Sequence, residues 1–235
     1  MVDVPMKALR RSRAPRGSGD RLRDEILDAT TELLLETGHA KAVSIRSVAR
    51  RVGVTPPSIY LHFDDKDALL DAVCARYLAK LDHEMQRVAA GQPSAAEVLR
   101  AQGLAYVRFA LKTPELYRIA TMGEWRSGSD VDATLDSSAF KHMRDTVQTL
   151  MDEKIYPPGD PTTVALQLWS AAHGVAALLI AKPHLPFGDA EAFAEQVLRA
   201  AFWGHLVTGL IGPDAAPRQL LDRLMAGERS PGSPA

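Results

Sequence analysis

Two hydroxyl side chains, those of Ser44 and Thr55, point most directly to a chemistry, and that chemistry is phosphate binding. Each lies at the predicted start of a short helix. At that end of a helix the first backbone N–H groups lack partners and the dipole is positive, so an anion is favoured. The two positions therefore indicate a phosphate-bearing partner such as DNA.

Two helices joined by a tight turn must hold these hydroxyls. Apolar residues at positions 45, 48, 49 and 52 follow helical spacing and predict a helix over residues 44–52, which Gly53 ends. A second helix is predicted over residues 55–62 with Thr55 as its cap. Its first positions are prolines, which are tolerated there because the opening N–H groups lack intrahelical partners. These proportions are typical of a helix-turn-helix, whose second helix enters the major groove.

The stretch SIRSVARRVGVTPPSIYLHFDDKDALL, residues 44–70, resembles the DNA-binding signature of TetR-family transcriptional repressors. Six residues of the signature fall in register at once: Gly53, Tyr60, His62, Phe63, Lys66 and Leu69. The resemblance implies that five residues bind phosphate oxygens, namely Ser44, Thr55, Tyr60, His62 and Lys66. It implies that four others face the base edges: Arg46, Pro56, Pro57 and Ser58.

The same resemblance implies a small apolar core beneath the DNA-facing residues. Its expected members are Ile45, Val48, Ala49, Val52, Ile59 and Phe63. For two of the implied phosphate contacts a plainer role stays open. Tyr60 can pack its ring and leave only its hydroxyl exposed, and His62 can be a solvated helix end.

Two adjacent prolines separate this recognition helix from the common pattern. Pro56 and Pro57 offer only apolar contact, for instance to a thymine methyl group. Arg46 and Ser58 should therefore make most of the hydrogen bonds to the bases. The recognition helix should contribute little sequence specificity.

A basic N-terminal arm, predicted to be disordered over residues 1–19, accompanies the motif. Seven Lys and Arg residues lie within the first 23 positions, and residues 1–63 carry a net charge of +4 although the whole chain carries −1. We expect the arm to enter the minor groove beside the site, with a contribution that depends strongly on salt. A solubilising tail is the alternative.

The fold predicted for the chain is all-α, with about nine helices and no alternating strand pattern. A three-helix DNA-binding domain is expected over residues 20–66 and a helix-rich effector-binding and dimerisation domain over residues 67–212. A tail over 213–235 is expected to be at least partly disordered. The predicted helices span residues 20–36, 44–52, 55–62, 64–88, 94–112, 114–123, 131–152, 161–181 and 189–211.

The last two long helices are the predicted homodimer surface, because one recognition helix covers too few base pairs and such proteins pair on inverted repeats. Their apolar faces can also be internal core. The segment LWSAAHGVAALL resembles the Trp-His-Gly segment of one TetR-family C-terminal subgroup. There Gly174 would allow a close helix approach, and His173 would be a hydrogen-bonded core histidine or a ligand contact.

A small, apolar or aromatic effector is expected to bind among the middle helices and release the operator. The candidate contacts are Tyr106, Phe109, Met122, Trp125, Phe140, Met143, Trp169 and His173. Most of these side chains can equally be core. In the expected mechanism the effector tilts the connector helix and pulls Tyr60 and Lys66 off their phosphates. A constitutive or protein-sensing regulator without a small ligand is the alternative.

Enzymatic function is the least favoured class, and no cofactor or metal is expected. The seven histidines are never closer than 11 residues, and a single cysteine excludes a CxxC site. No uninterrupted apolar run reaches the ~20 residues that cross a bilayer, so no membrane association is expected. The lone Cys74 and the lack of a signal-peptide pattern favour the cytoplasm.

Overall fold

The computed structural model describes residues 18–122 and 138–212 and six positions between 216 and 225. These residues form helices and connections without a strand, which confirms the all-α prediction. The α-helices are α1 (Ser18–Thr37), α2 (Ile45–Val52), α3 (Pro56–Tyr60), α4 (Lys66–Ala89), α5 (Ala95–Lys112), α6 (Pro114–Met122), α7 (Ala139–Asp152), α8 (Pro161–Ala181) and α9 (Ala190–Ile211). A short 3-10 helix spans Ala40–Ala42.

Capping side chains fix where several of these helices begin. The carboxylate of Asp160 accepts hydrogen bonds from the backbone N–H groups of Thr162 and Thr163, at 3.0 and 3.1 Å, and so starts α8. Asp189 does the same for α9 through the N–H of Ala192 at 2.8 Å. Both carboxylates also lie at the positive end of the helix dipole.

Two predicted helix starts are wrong. The connector α4 begins at Lys66 because the carboxylate of Asp65, not that of Asp64, accepts the N–H of Ala68 at 2.8 Å. Helix α7 begins at Ala139, after Ser138, whose backbone is not helical, whereas the spacing predicted a start at position 131. Positions 123–137 lie outside the described residues.

The chain divides into two compact units. The first comprises Met1–Leu78 and Thr113–Thr134, so it holds α1 to α3, the first half of α4, and α6. Within it α1 packs on α2 and on α6. Its fully buried side chains include Ile26, Leu34, Ile59 and Tyr117. This core fixes the orientation of α2 and α3.

The second unit comprises Ala79–Lys112 and Leu135–Ala235, and α5, α7, α8 and α9 pack on one another within it. One apolar cluster joins α5, α7 and α8 through Leu99, Val147, Leu150 and Leu168. Phe202 of α9 packs against the same cluster.

Helix α8 is long and apolar enough, by composition alone, to span a bilayer. The sequence analysis missed this because it counted uninterrupted apolar runs and not average hydropathy. Core helices of globular units meet the same criterion, and α8 packs on three neighbours. Only 28% of its most apolar window is buried within the chain, however, which leaves apolar surface uncovered.

Candidate nucleic-acid interface

The start of α2 is held by a reciprocal capping box. The Oγ of Ser44 accepts a hydrogen bond from the N–H of Ser47 at 3.1 Å, and the Oγ of Ser47 accepts one from the N–H of Ser44 at 2.9 Å. The Ser44 hydroxyl donates to Ser47 Oγ. Ser44 is nonetheless exposed, so a phosphate can bind it by replacing that internal contact.

The start of α3 is built differently from the sequence prediction. Thr55 occupies the N-cap position, but its side chain caps no backbone N–H group. The reason is chemical: Pro56 and Pro57 have no N–H to donate, and the N–H of Ser58 already bonds the carbonyl of Thr55 at 2.9 Å. The Thr55 and Ser58 hydroxyls instead pair with each other at 3.1 Å.

The turn between α2 and α3 depends on Gly53, whose φ of 78° lies in the left-handed region. The Gly53 N–H bonds the carbonyl of Ala49 at 2.9 Å and closes α2. A glycine in this conformation ends a helix without steric strain. The turn thereby brings α3 directly after α2.

Burial separates the faces of the motif as predicted. Five of the six expected core residues are buried, namely Ile45, Val48, Ala49, Ile59 and Phe63. The sixth, Val52, is half-buried. Arg46, Thr55, Pro57 and Tyr60 are exposed with Ser44, whereas Pro56, Ser58, His62 and Lys66 are half-buried. All nine predicted DNA contacts thus reach the surface.

Leu61 is an outward-facing residue that the sequence analysis missed. Its side chain is 83% exposed at the end of α3, between Tyr60 and His62. The signal was available, because Ile59 and Phe63 face inward at i and i+4, which turns the residue between them outward. An apolar side chain there suits contact with a thymine methyl group.

Charge is distributed unevenly along α2. Arg51 donates to Glu32 at 3.1 Å and to Glu36 at 2.6 Å, which ties α2 to α1 and holds the pKa of Glu36 below its ordinary value. Among the described residues no carboxylate pairs with Arg46 or Arg50, and both are exposed. These two arginines, not Arg51, are therefore the cations of α2 available to an anion.

The second unit contains a polar contact between two predicted effector residues. The hydroxyl of the buried Tyr106, on α5, lies 3.2 Å from Nδ1 of His173, on α8. The His173 ring also contacts the Trp169 indole, with centroids 5.6 Å apart. Partial burial lowers the pKa of His173, so its imidazole is neutral at neutral pH.

The other effector candidates are dispersed. Met143 is buried in the α5–α7–α8 cluster with Phe140 packed against it, and Phe109 is half-buried on α5. Met122 is exposed on α6 and belongs to the first unit, and Trp125 lies outside the described residues. Gly174 has open space where a Cβ would be, so none of the helices that the structure describes approaches it closely. A shared pocket for these residues stays a prediction.

Metal binding finds no support in the part of the chain that the structure describes. There, no group of three or more His, Cys, Asp or Glu side chains is placed to hold an ion. The thiol of Cys74 is buried, and burial raises its pKa to about 12, which keeps it protonated.

Two family profiles match the chain. The profile described as "Bacterial regulatory proteins, tetR family" matches residues 26–73, which contain α2 and α3. The profile described as "Tetracyclin repressor-like, C-terminal domain" matches residues 99–201. The finer Trp-His-Gly subgroup stays a prediction.

Individual proteins resemble the chain over different lengths. The class D tetracycline repressor of Escherichia coli is 36% identical over 90 residues, which are 38% of this chain and 40% of the repressor. The chain thus matches well under two thirds of that relative.

Two solved structures share the fold. A Rhodococcus sp. RHA1 protein of unknown function has a TM-score of 0.70 at 24% identity, over 79% of this chain and 95% of that one. The Bacillus subtilis regulator FadR, solved with stearoyl-CoA, has a TM-score of 0.63 at 14% identity, over 77% and 98%.

Proposed function

Because the chain belongs to the TetR family of transcriptional regulators, we propose that it is a repressor that binds an inverted-repeat operator as a homodimer. A small apolar or aromatic effector then releases the DNA. The observation that carries the DNA-binding half is the two-faced α3, with Ile59 buried and Tyr60 and Leu61 exposed. A short helix that packs on the core with one face and exposes the other face is suited to the major groove of DNA.

Specific contacts follow from this arrangement. Arg46 and Ser58 supply hydrogen bonds to bases, and the prolines of α3 supply apolar contacts. Phosphate contacts come from Ser44, Thr55, Tyr60, His62 and Lys66. The basic arm over residues 1–19 adds contacts in the minor groove, which makes binding more salt-dependent.

Uncovered apolar residues support the homodimer. Among the described residues up to 212, every exposed large hydrophobic side chain of the second unit lies on α8, on α9 or between them. These side chains are Leu166, Leu178, Leu185 and Trp203. Exposed apolar side chains concentrated on two helices favour an interaction site, and two helices from each of two copies form a four-helix interface.

The effector half of the proposal rests on the second unit. The half-buried indole of Trp169 there adjoins the Tyr106–His173 contact. FadR of Bacillus subtilis, with the same fold, holds a ligand with a long apolar chain, stearoyl-CoA. We place the protein in the cytoplasm with its DNA and assign it no catalytic role.

Selection of bound double-stranded DNA from a random pool tests the proposal. We expect an inverted repeat whose half-sites are centred about 34–36 Å apart or a multiple of that distance. The variant Lys66→Gln should bind all selected DNA sequences more weakly by a similar factor, because it removes one phosphate contact per subunit. For the same reason its DNA affinity should depend less steeply on salt concentration. Failure to enrich any sequence at low ionic strength would falsify the proposal.

A further inference from the structure

Gln102, in the middle of α5, is a buried polar side chain with an unused acceptor. It is 2% exposed, and in the part of the chain that the structure describes no donor lies within hydrogen-bond distance of its Oε1. A buried carbonyl oxygen without a donor is destabilising, so most such groups in folded proteins are paired. The missing donor must therefore come from outside the described chain.

The neighbours of Gln102 along α5 place this acceptor beside the aromatic contact described above. Tyr106 and Phe109 lie one and two helical turns further on, at i+4 and i+7, and so on the same face. The hydroxyl of Tyr106 bonds His173 at 3.2 Å. His173 and its ring partner Trp169 are half-buried, so this aromatic group extends from the interior toward the surface of the unit.

We propose that Gln102 Oε1 accepts a hydrogen bond from the effector, which is an uncharged molecule with an aromatic or apolar body and a hydroxyl or amide N–H group. This rests on the proposed effector-binding function of the second unit. The apolar body packs against Phe109 and the rings of Tyr106, His173 and Trp169. Such sites typically combine apolar walls with a few placed polar groups.

The absence of charge in this effector follows from its surroundings. Among the described residues of the second unit no charged side chain is buried, and Gln102 is the sole buried amide. The imidazole of His173 is neutral at neutral pH because burial lowers its pKa. An ionised ligand would therefore find no opposite charge to offset its desolvation.

The variant Gln102→Met tests the unused acceptor without any ligand. Methionine has a similar length and flexibility but no hydrogen-bonding amide. If the oxygen is unpaired in the free protein, the variant should unfold about 2–4 °C higher than the wild type. Gln148→Met is the matched control, because Gln148 is exposed and its Nε2 donates to Asp152, so no such rise is expected. A lower Tm for Gln102→Met would show that the amide is already satisfied and overturn the proposal.

A pair of probes tests the donor directly. 2-Naphthol and 2-methoxynaphthalene share an aromatic body, but only the first has a hydroxyl hydrogen. By calorimetry, the wild type and Gln148→Met should each bind 2-naphthol at least about tenfold more tightly than 2-methoxynaphthalene. This is the factor that one hydrogen bond contributes. Gln102→Met should bind both probes equally.

Three outcomes would overturn the inference: equal binding of the two probes by the wild type, a preference that survives in Gln102→Met, or no binding of either probe. The selected operator separates this inference from the proposed function. If the wild type binds the operator but shows no preference for the donor, only the inference about Gln102 fails. If the wild type binds no operator, the proposed function fails.

Discussion

Pro56 and Pro57 determine what the neighbouring hydroxyls of α3 do. Because neither proline has an N–H group, the Thr55 hydroxyl has no donor to cap and pairs with Ser58 instead. The sequence placed Thr55 correctly at the helix start, but the partner of its hydroxyl follows from backbone geometry. A hydrogen-bonded pair of hydroxyls at the surface of the N-terminal end of α3 is the consequence.

Residue types also could not reveal which arginines of α2 lack a carboxylate partner among the described residues. Arg46, Arg50 and Arg51 are alike in the sequence, and only the placement of α1 shows that Arg51 is taken by Glu32 and Glu36. The spacing between these partners, 15 and 19 residues, is not that of a helical pair. Such long-range ion pairs depend on tertiary packing.

Leu61 is the residue whose predicted effect is most specific to DNA. Replacing it with Ser should weaken binding to the selected operator by up to about tenfold, because an apolar contact to a base is lost. The stability of the protein should hardly change, because the side chain is 83% exposed. Fluorescence anisotropy with labelled operator measures the first effect and thermal unfolding the second.

Leu35→Ser provides the comparison for that measurement. Leu35 is exposed on α1, outside the helix-turn-helix, so its substitution should leave operator affinity unchanged. Equal affinities of Leu61→Ser and wild type would show that Leu61 does not touch the bases.

At the scale of elements, apolar spacing predicted where helices lie, and capping chemistry decided where they begin. The connector α4 is the clearest case. Asp64 and Asp65 are both residue types that cap helices well, and the backbone conformation determines that Asp65 is the cap. The start of α7 shows a further limit. Helical spacing of apolar residues continues upstream of Ala139 in the sequence. Ser138 nevertheless adopts a non-helical backbone, so α7 begins at the next residue.

Gly53 gives the element-scale prediction. Its Cβ would meet no atom within 4 Å, so the cost of Gly53→Ala comes only from the left-handed φ of 78°. We expect the variant to lose about 1 kcal/mol of unfolding free energy. Because the turn sets the position of α3, operator affinity should fall as well. Chemical denaturation and anisotropy measure the two losses.

Gly19→Ala is the matched substitution in the same unit. Gly19 also has open space around it, but it lies in the first turn of α1, where alanine is favoured over glycine. Its stability should stay equal or rise slightly. An equal response of the two variants would mean that the turn conformation is not what Gly53 supplies.

At the scale of the molecule, the sequence indicated two functional parts but not which helices share a core. Helix α6 lies between two helices of the second unit along the chain, yet it packs on α1 in the first. Tyr117 of α6 is fully buried there. Periodicity shows that a helix has an apolar face, but not which distant helix will cover it. Membership of a unit therefore had to come from the structure.

The uncovered face of α8 and α9 sets the last prediction, because the proposed recognition of an inverted-repeat operator requires two copies of the chain. Trp203 is 52% exposed on α9, and a large aromatic side chain at an interface contributes strongly to association. Trp203→Glu would bury a charge at that interface, so sedimentation should show a shift from dimer to monomer. Leu35→Glu, an equivalent change on α1, should remain dimeric.

Binding of Trp203→Glu to the full inverted repeat should fall toward the affinity for a single half-site, because the two subunits then bind independently. A Trp203→Glu protein that sediments as a dimer would place the interface elsewhere on the chain.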